Sequence, residues 1–304
     1  MANFLMIGIC LAAGFIFRSY DIVPKNAHKS INTWLIYLAL PAVSFKYLPK
    51  MNWQMEMAFP VLAMVVVWVG GWLFAKVFSQ KRKYGQRSRS TLELASGYSN
   101  TSFIGFPLVA TYFGEENLGI AMLCDQTSFI VLSTAGIISA LKVQKQQGRE
   151  KAKLVFKKLI TFPPLIACIL ALLLSPWVNF SKADPLFDLF VATLAPMALF
   201  SIGLQLQFKK WQKQFSPISL TLLYKLILAP LIIFILALSF QVKEDLGSVT
   251  VLEAAMPTLV SSGIIAEQYG LNTRLINMII GIGIVLGLLT TAIWQAILKG
   301  MFYA

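Results

Sequence analysis

The chain has 304 residues, 57% of them hydrophobic and only 13% charged, with a mean hydropathy of +0.71. A soluble domain averages about 45–50% apolar and about 25% charged, so the balance excludes an ordinary soluble domain and points to a polytopic, all-α membrane protein. The net charge of +13 does not indicate nucleic acid, because the basic residues cluster in short connections between apolar runs, as membrane topology requires.

The apolar runs predict ten spanning helices, over 3–18, 31–49, 58–79, 91–113, 117–141, 159–176, 186–206, 216–240, 247–268 and 275–298. Most approach or exceed the roughly 18 residues expected of a span. Span one, MANFLMIGICLAAGFIF, lacks the positive leader of a signal peptide and is read as a retained span. His28 falls in a short basic loop and is expected to be solvated. Span two carries Pro41 in LALPAVSF. Span four contains YSNTSFIGFPL (98–108), a polar run followed by Gly105 and Pro107, where a membrane helix should be most regular. Span five carries Asp125 in MLCDQTSF, and a basic loop follows it. Span seven carries Pro196 in LAPMALFS, and span eight carries Lys225 in YKLILAP. Span nine is broken at Pro257 and Thr258, with Ser261, Ser262 and Gly263 following. Trp53, Trp177 and Trp211 lie near span ends and read as interfacial anchors. The three cysteines, Cys10, Cys124 and Cys168, sit in apolar segments with no CxxC spacing or Cys/His cluster. That argues against a disulfide framework or a zinc site.

Loop charges set the orientation. One set of alternate loops holds Arg18, Lys25 and Lys29, then Lys81 to Arg89, the basic run from Lys142 to Lys158, Lys209 to Lys213, and Arg274. The other set holds only Lys46, Lys50, Lys182, Lys243 and Lys299. The richer set belongs in the cytoplasm, so both termini are expected outside. Pro41 and Pro196, and Pro107 and Pro257, are each separated by about half the chain. With an odd number of spans per half, this predicts two inverted five-helix repeats, 1–150 and 151–304, as in many secondary transporters.

A proline inside a helix removes a hydrogen bond and crowds the preceding turn. Unwound backbone at membrane depth is tolerated only inside protein or beside a water-filled cavity. In span four, the side-chain oxygens of Asn100, Thr101 and Ser102 are expected to cap a new helix start, with Pro107 in its first turn. Two such breaks would point helix N-termini, with partial positive charge, toward a carboxylate-sized anion. Ionisable residues within spans are functional candidates by default. Asp125 could be a proton-relay carboxyl or a structural cap. Lys225 could neutralise a carboxylate or snorkel. Glu253 would line the outer access path, while Glu93 and Glu267, near cytoplasmic ends, read as solvated or interfacial. The candidate substrate-binding residues are Asn100, Thr101, Ser102, Pro107, Gln126, Pro257 and Thr258. The candidate coupling or polar-network residues are Asp125, Lys225 and Glu253.

At these residues the sequence resembles the auxin efflux carrier family, which includes plant PIN-type auxin exporters and bacterial permeases for malate, malonate and related anions. Asn100-Thr101 followed by Gly105-x-Pro107-Leu108 is similar to the family's fourth-helix crossover motif. Ala254-Ala255-Met256-Pro257 followed by Ala266-Glu267-Gln268-Tyr269 is similar to its ninth. The resemblance implies ten helices in two inverted repeats, crossed at spans four and nine. Spans 1–2 and 6–7 would form a scaffold, and spans 3–5 and 8–10 a transport domain. It carries the family's functional fourth-helix Asn and Pro onto Asn100 and Pro107, and its ninth-helix Pro onto Pro257. The chain departs from PIN-type carriers at Ser262, where they have a second proline, and in its short central loop. A small organic acid is therefore expected rather than auxin.

The expected function is secondary transport of a small organic anion by elevator-like alternating access. The alternative is a sodium-coupled carrier of the bile-acid-symporter kind. No Walker, HExxH or GxSxG motif is present, so neither a nucleotide-driven pump nor an enzyme is expected. No cofactor or metal is expected either. The expected partners are the anion and the lipid bilayer of the cell membrane, with proton coupling and a homodimer as candidate features.

Overall fold

The structure, a computed structural model, describes residues 2–24, 26–51, 54–141, 143, 153, 156–157, 160–206 and 214–302. The helices in chain order are α1 (Ala2–Ser19), α2 (Ala27–Trp34), α3 (Leu40–Tyr47), α4 (Ala58–Lys81) and α5 (Gln86–Gly97). They continue with α6 (Phe106–Phe113), α7 (Leu118–Val131), α8 (Ile137–Leu141), α9 (Pro163–Leu174) and α10 (Asp184–Gln205). The last are α11 (Phe215–Leu223), α12 (Ala229–Ser239), α13 (Glu244–Ala254), α14 (Val260–Gln268) and α15 (Thr273–Phe302). Among the described residues the protein is all-helical. Five helical stretches among the described residues are long and apolar enough to cross a membrane: Met55–Lys81, Glu115–Leu141, Phe180–Gln205, Phe215–Ser239 and Thr273–Met301. Shorter apolar helices run over Leu5–Ser19, Thr101–Phe113 and Pro163–Leu174.

Wide π-turns join several of these helices end to end. Three of them, Leu35–Ala39, Thr101–Gly105 and Tyr224–Leu228, each end two residues before a proline: Pro41, Pro107 and Pro230. A proline ring crowds the carbonyl four residues earlier and gives it no N–H. A widened turn at that point makes room for the ring without breaking the helix. At Pro230 the carbonyl four residues back belongs to Leu226, and the indole N–H of Trp294 donates to it at 2.9 Å. Pro196, in contrast, lies inside the continuous helix α10.

By internal contacts the chain forms two compact units. One comprises Met1–Gln54, Ser102–Met122 and Ile160–Leu206. Within it α1 runs along α10, and α9 packs on α3. Gly14 and Gly203 let the α1 and α10 backbones touch: a Cβ on Gly14 would lie 2.3 Å from the carbonyl oxygen of Phe200. Close approach at small residues is how helices associate when surrounding lipid is as apolar as they are. Lys46 pairs with Asp188 at 2.7 Å and Glu115 at 3.4 Å, and Lys50 with Asp184 at 2.6 Å. Two cations of the sparse loop set are thus neutralised. His28 sits in helix α2 rather than in a loop.

The other unit comprises Met55–Thr101, Leu123–Leu159 and Gln207–Ala304. Here α4 packs on α5, α12 on α13, and α14 and α5 both on α15. Gly71 gives α4 access to the carbonyl of Ser96, 2.5 Å from where a Cβ would stand. Tyr224 donates its hydroxyl to the carbonyl of Val67 at 2.7 Å. Lys243 pairs with Glu56 at 3.0 Å. Most of the basic loop 142–158, together with Lys25, Lys209–Lys213, Trp53 and Trp211, lies outside the described residues. Trp177 is exposed.

Candidate substrate site

Both interrupted helices stop and restart where the polar residues fall. The helix α5 ends at Gly97, and the chain is extended at Tyr98 before turning helical again at Thr101. The helix α13 ends at Ala254, and α14 begins at Val260 with Leu259 extended before it. The two extended pieces lie antiparallel, bridged at Ser99 and Thr258. The N–H of Asn100 donates to the carbonyl of Pro257 at 2.8 Å, and the N–H of Leu259 to the carbonyl of Tyr98 at 3.0 Å. Each break therefore satisfies the polar backbone that the other exposes, as a low-dielectric surrounding demands.

The crossing differs from the sequence expectation in one respect. Pro257 lies in the extended piece, opposite Asn100. Pro107 lies in the helix that follows the other break, a π-turn beyond Thr101. The two prolines are not equivalent in place: Pro257 supplies a carbonyl to the crossing, while Pro107 widens a helix. Glycines accommodate the ring of Pro257. A Cβ on Gly287 of α15 would sit 3.1 Å from its Cδ, and one on Gly283 3.6 Å from its Cβ.

The side chains divide by use. Thr258 donates its hydroxyl to the carbonyl of Ala95 at 2.7 Å, capping an orphan group at the end of α5. Thr101 donates to Asp125 at 2.6 Å, and the amide of Gln126 lies 3.4 Å from the other oxygen of Asp125. Lys225, in the π-turn between α11 and α12, is fully buried. Its ammonium donates to Ser99 at 2.6 Å. It makes no ion pair among the described residues. Among the described residues it neither snorkels nor neutralises a protein carboxylate, the two roles its sequence position leaves open. Asn100 is fully buried, and neither its amide oxygen nor its amide nitrogen has a hydrogen-bond partner among the described residues. Its side chain therefore does not cap the new helix. Ser102 and Pro107 belong to the first unit, where both are buried.

Two carboxylates differ from expectation. Glu253 does not line an outer path: it occupies the last turn of α13, beside the break, and is fully buried. Both its oxygens lack a partner among the described residues. The helix starts at Glu244, so Glu253 is carried more than two turns in from that end. Glu93, expected to be solvated or interfacial, is buried, and Ser139 of α8 donates to it. Glu267 is exposed, as expected. Sequence reasoning missed Ser99 as the partner of Lys225, and Gly283 and Gly287 as the seat of Pro257. The small-xxx-small spacing of the two glycines was a readable signal.

A buried crossing of two interrupted helices, inside a protein with several helices fit to span a bilayer, defines an integral multi-pass membrane transport protein. Comparison with known proteins agrees. The model of the family described as membrane transport protein matches residues 3–295, and the chain belongs to that family, the auxin efflux carriers resembled by its crossover motifs. It is similar to an uncharacterized transporter of Methanothermobacter thermautotrophicus, 22% identical over 298 residues and 97% of both chains. An uncharacterized transporter of Methanocaldococcus jannaschii is 26% identical over 304 residues, again 97% of both. A Rhizobium meliloti protein described as "Putative malonate transporter" is 26% identical over 297 residues, 91% of this chain and 92% of that one.

Proposed function

We propose that the protein is a secondary transporter of a small organic anion, a carboxylate such as malate, malonate or an auxin-like acid, working by elevator-type alternating access. One observation carries the reading: the crossing leaves the Asn100 amide buried and, among the described residues, unpartnered. A buried amide without partners costs roughly 1–3 kcal/mol, a cost a polar ligand would offset. Backbone N–H groups at the restarted helices add partial positive charge suited to a carboxylate. The name of the Rhizobium meliloti relative favours a dicarboxylate.

In this reading Asn100, Thr101, Ser102, Gln126 and Thr258 form the substrate region, with Pro107 and Pro257 shaping its backbone. The chain comprises ten spans in two inverted repeats, 1–150 and 151–304, with spans 3–5 and 8–10 moving against spans 1–2 and 6–7. Spans 1, 2, 6 and 7 fall in one compact unit, which supports that division in part, since the same unit also holds Ser102–Met122, the second half of span four and the start of span five. Both termini face outward, in the cell membrane. The scarcity of Lys and Arg in the loop set that holds Lys46, Lys50 and Lys243 supports the orientation.

The test is counterflow. Proteoliposomes loaded with unlabelled malonate, malate or an auxin-like acid should accumulate the labelled acid transiently and saturably. Large ionic currents without counterflow would overturn the carrier reading.

A further inference from the structure

Glu253 is the one fully buried carboxylate at the crossing for which neither a hydrogen bond nor an ion pair is found among the described residues. A second carboxylate, Asp125, lies close enough to act on it electrostatically. Cys124, the neighbour of Asp125, is in side-chain contact with Thr250, one turn before Glu253 on α13, which sets this part of α7 against α13. Thr101 donates to Asp125, so the hydroxyl that begins the restarted helix belongs to the same cluster.

Among the described residues no ion pair cancels this charge. The cation of the crossing, Lys225, is committed to Ser99. Besides α7, which contributes Asp125 itself, the elements packed most extensively on α13 are α12, α4 and α15. The helix α12 has no ionisable side chain. Lys76 and Lys81 of α4 form no ion pair with Glu253, nor do Arg274 and Lys299 of α15. A carboxylate taken from water into such a surrounding is strongly disfavoured unless a positive charge accompanies it. An arriving organic anion would add negative charge to the same region.

We infer that Glu253, with Asp125 beside it, binds a monovalent cation that enters together with the anion, so that transport is a symport driven by that cation's gradient. The shared chemistry is a single positive charge on the Glu253 carboxylate, supplied by a proton or by a sodium ion. The inference rests on the anion reading above. Glu253 is the coupling group, and anion binding itself is left to the Asn100 side of the crossing. Ionisable residues inside spans commonly serve such relays.

The experiment uses full-length protein in proteoliposomes with labelled malonate. Two uphill arms impose an inward sodium gradient or an inward proton gradient, and a third measures counterflow with no gradient. Wild-type protein should show counterflow and should accumulate malonate in one uphill arm, which identifies the cation. Glu253→Gln keeps the shape and removes the charge. It should retain counterflow within about twofold and lose uphill accumulation on the order of 10-fold or more. Accumulation by Glu253→Gln equal to wild type overturns the inference, as does wild-type counterflow without accumulation in either arm. Absence of counterflow across malonate, malate and auxin-like acids instead overturns the anion reading. Should Glu253→Gln fail to fold, malonate binding to purified wild-type protein decides the matter. Affinity should rise on the order of 10-fold with sodium or with acid, and independence of both overturns the inference.

Discussion

The N–H of Asn100 donates to the carbonyl of Pro257 at 2.8 Å, joining the break in one helix to the break in another. Those residues lie about half the chain apart, and each supplies the partner that the other's interruption removes. The Asn100 side chain is buried without a partner among the described residues, and this separates structural from functional effects by mutation. Asn100→Ala keeps the backbone pair and deletes the idle amide. Uptake should be abolished, while the thermal midpoint in detergent should stay within a few degrees of wild type, because no protein hydrogen bond is lost.

Lys225 and Ser99 should respond unequally to mutation. Ser99→Ala leaves the buried ammonium with no acceptor, a loss on the order of 3 kcal/mol. Lys225→Met removes the charge along with the need for an acceptor, and should cost less than Ser99→Ala or even stabilise. Thermal melts of the two single variants and the double variant check this. A larger loss in Lys225→Met would contradict it.

Trp294 offers a test of the proline-turn arrangement. Its indole satisfies the Leu226 carbonyl that Pro230 leaves without an N–H. Trp294→Phe keeps an aromatic ring and removes the donor, so stability should fall by about 1–3 kcal/mol. In the Pro230→Ala background the penalty should shrink, since the helix can then supply an N–H. Equal penalties in both backgrounds would show that the indole bond does not depend on the proline.

Glycine contacts should rank by what they meet. A methyl at Gly14 would press on the Phe200 carbonyl at 2.3 Å, whereas at Gly287 it would meet the Pro257 ring at 3.1 Å. Backbone cannot yield as a ring edge can. Gly14→Ala should therefore destabilise more than Gly287→Ala, with the second costing about 1–3 kcal/mol. Thermal melts of the two variants give the order directly.

Much of the site was legible because membranes constrain sequence strongly. Polar Asn100-Thr101-Ser102 and the Pro257-Thr258 pair stand out inside apolar runs, and apolar length alone locates helices there. What the sequence did not reveal was pairing. Pro107 and Pro257 look equivalent by spacing, yet one widens a helix and the other lies in the extended crossing, because a proline's effect depends on which backbone groups surround it. Glu253 was read as facing an outer path from its distance along span nine. The break at Ala255 to Leu259 instead makes its turn the innermost of a short helix. The place of Glu93 near a span end suggests a solvated or interfacial carboxylate, but position along a span says nothing about which face a neighbour such as Ser139 covers.

The most direct test of the central claim is equilibrium binding of labelled malonate, or another carboxylate that wild type carries in counterflow, to purified wild-type and Asn100→Ala protein. The account predicts saturable binding by wild type and at least about 10-fold weaker binding by the variant, with both melting at nearly the same temperature. Equal affinity in the two proteins would contradict it and move the substrate away from the crossing of Asn100 and Pro257.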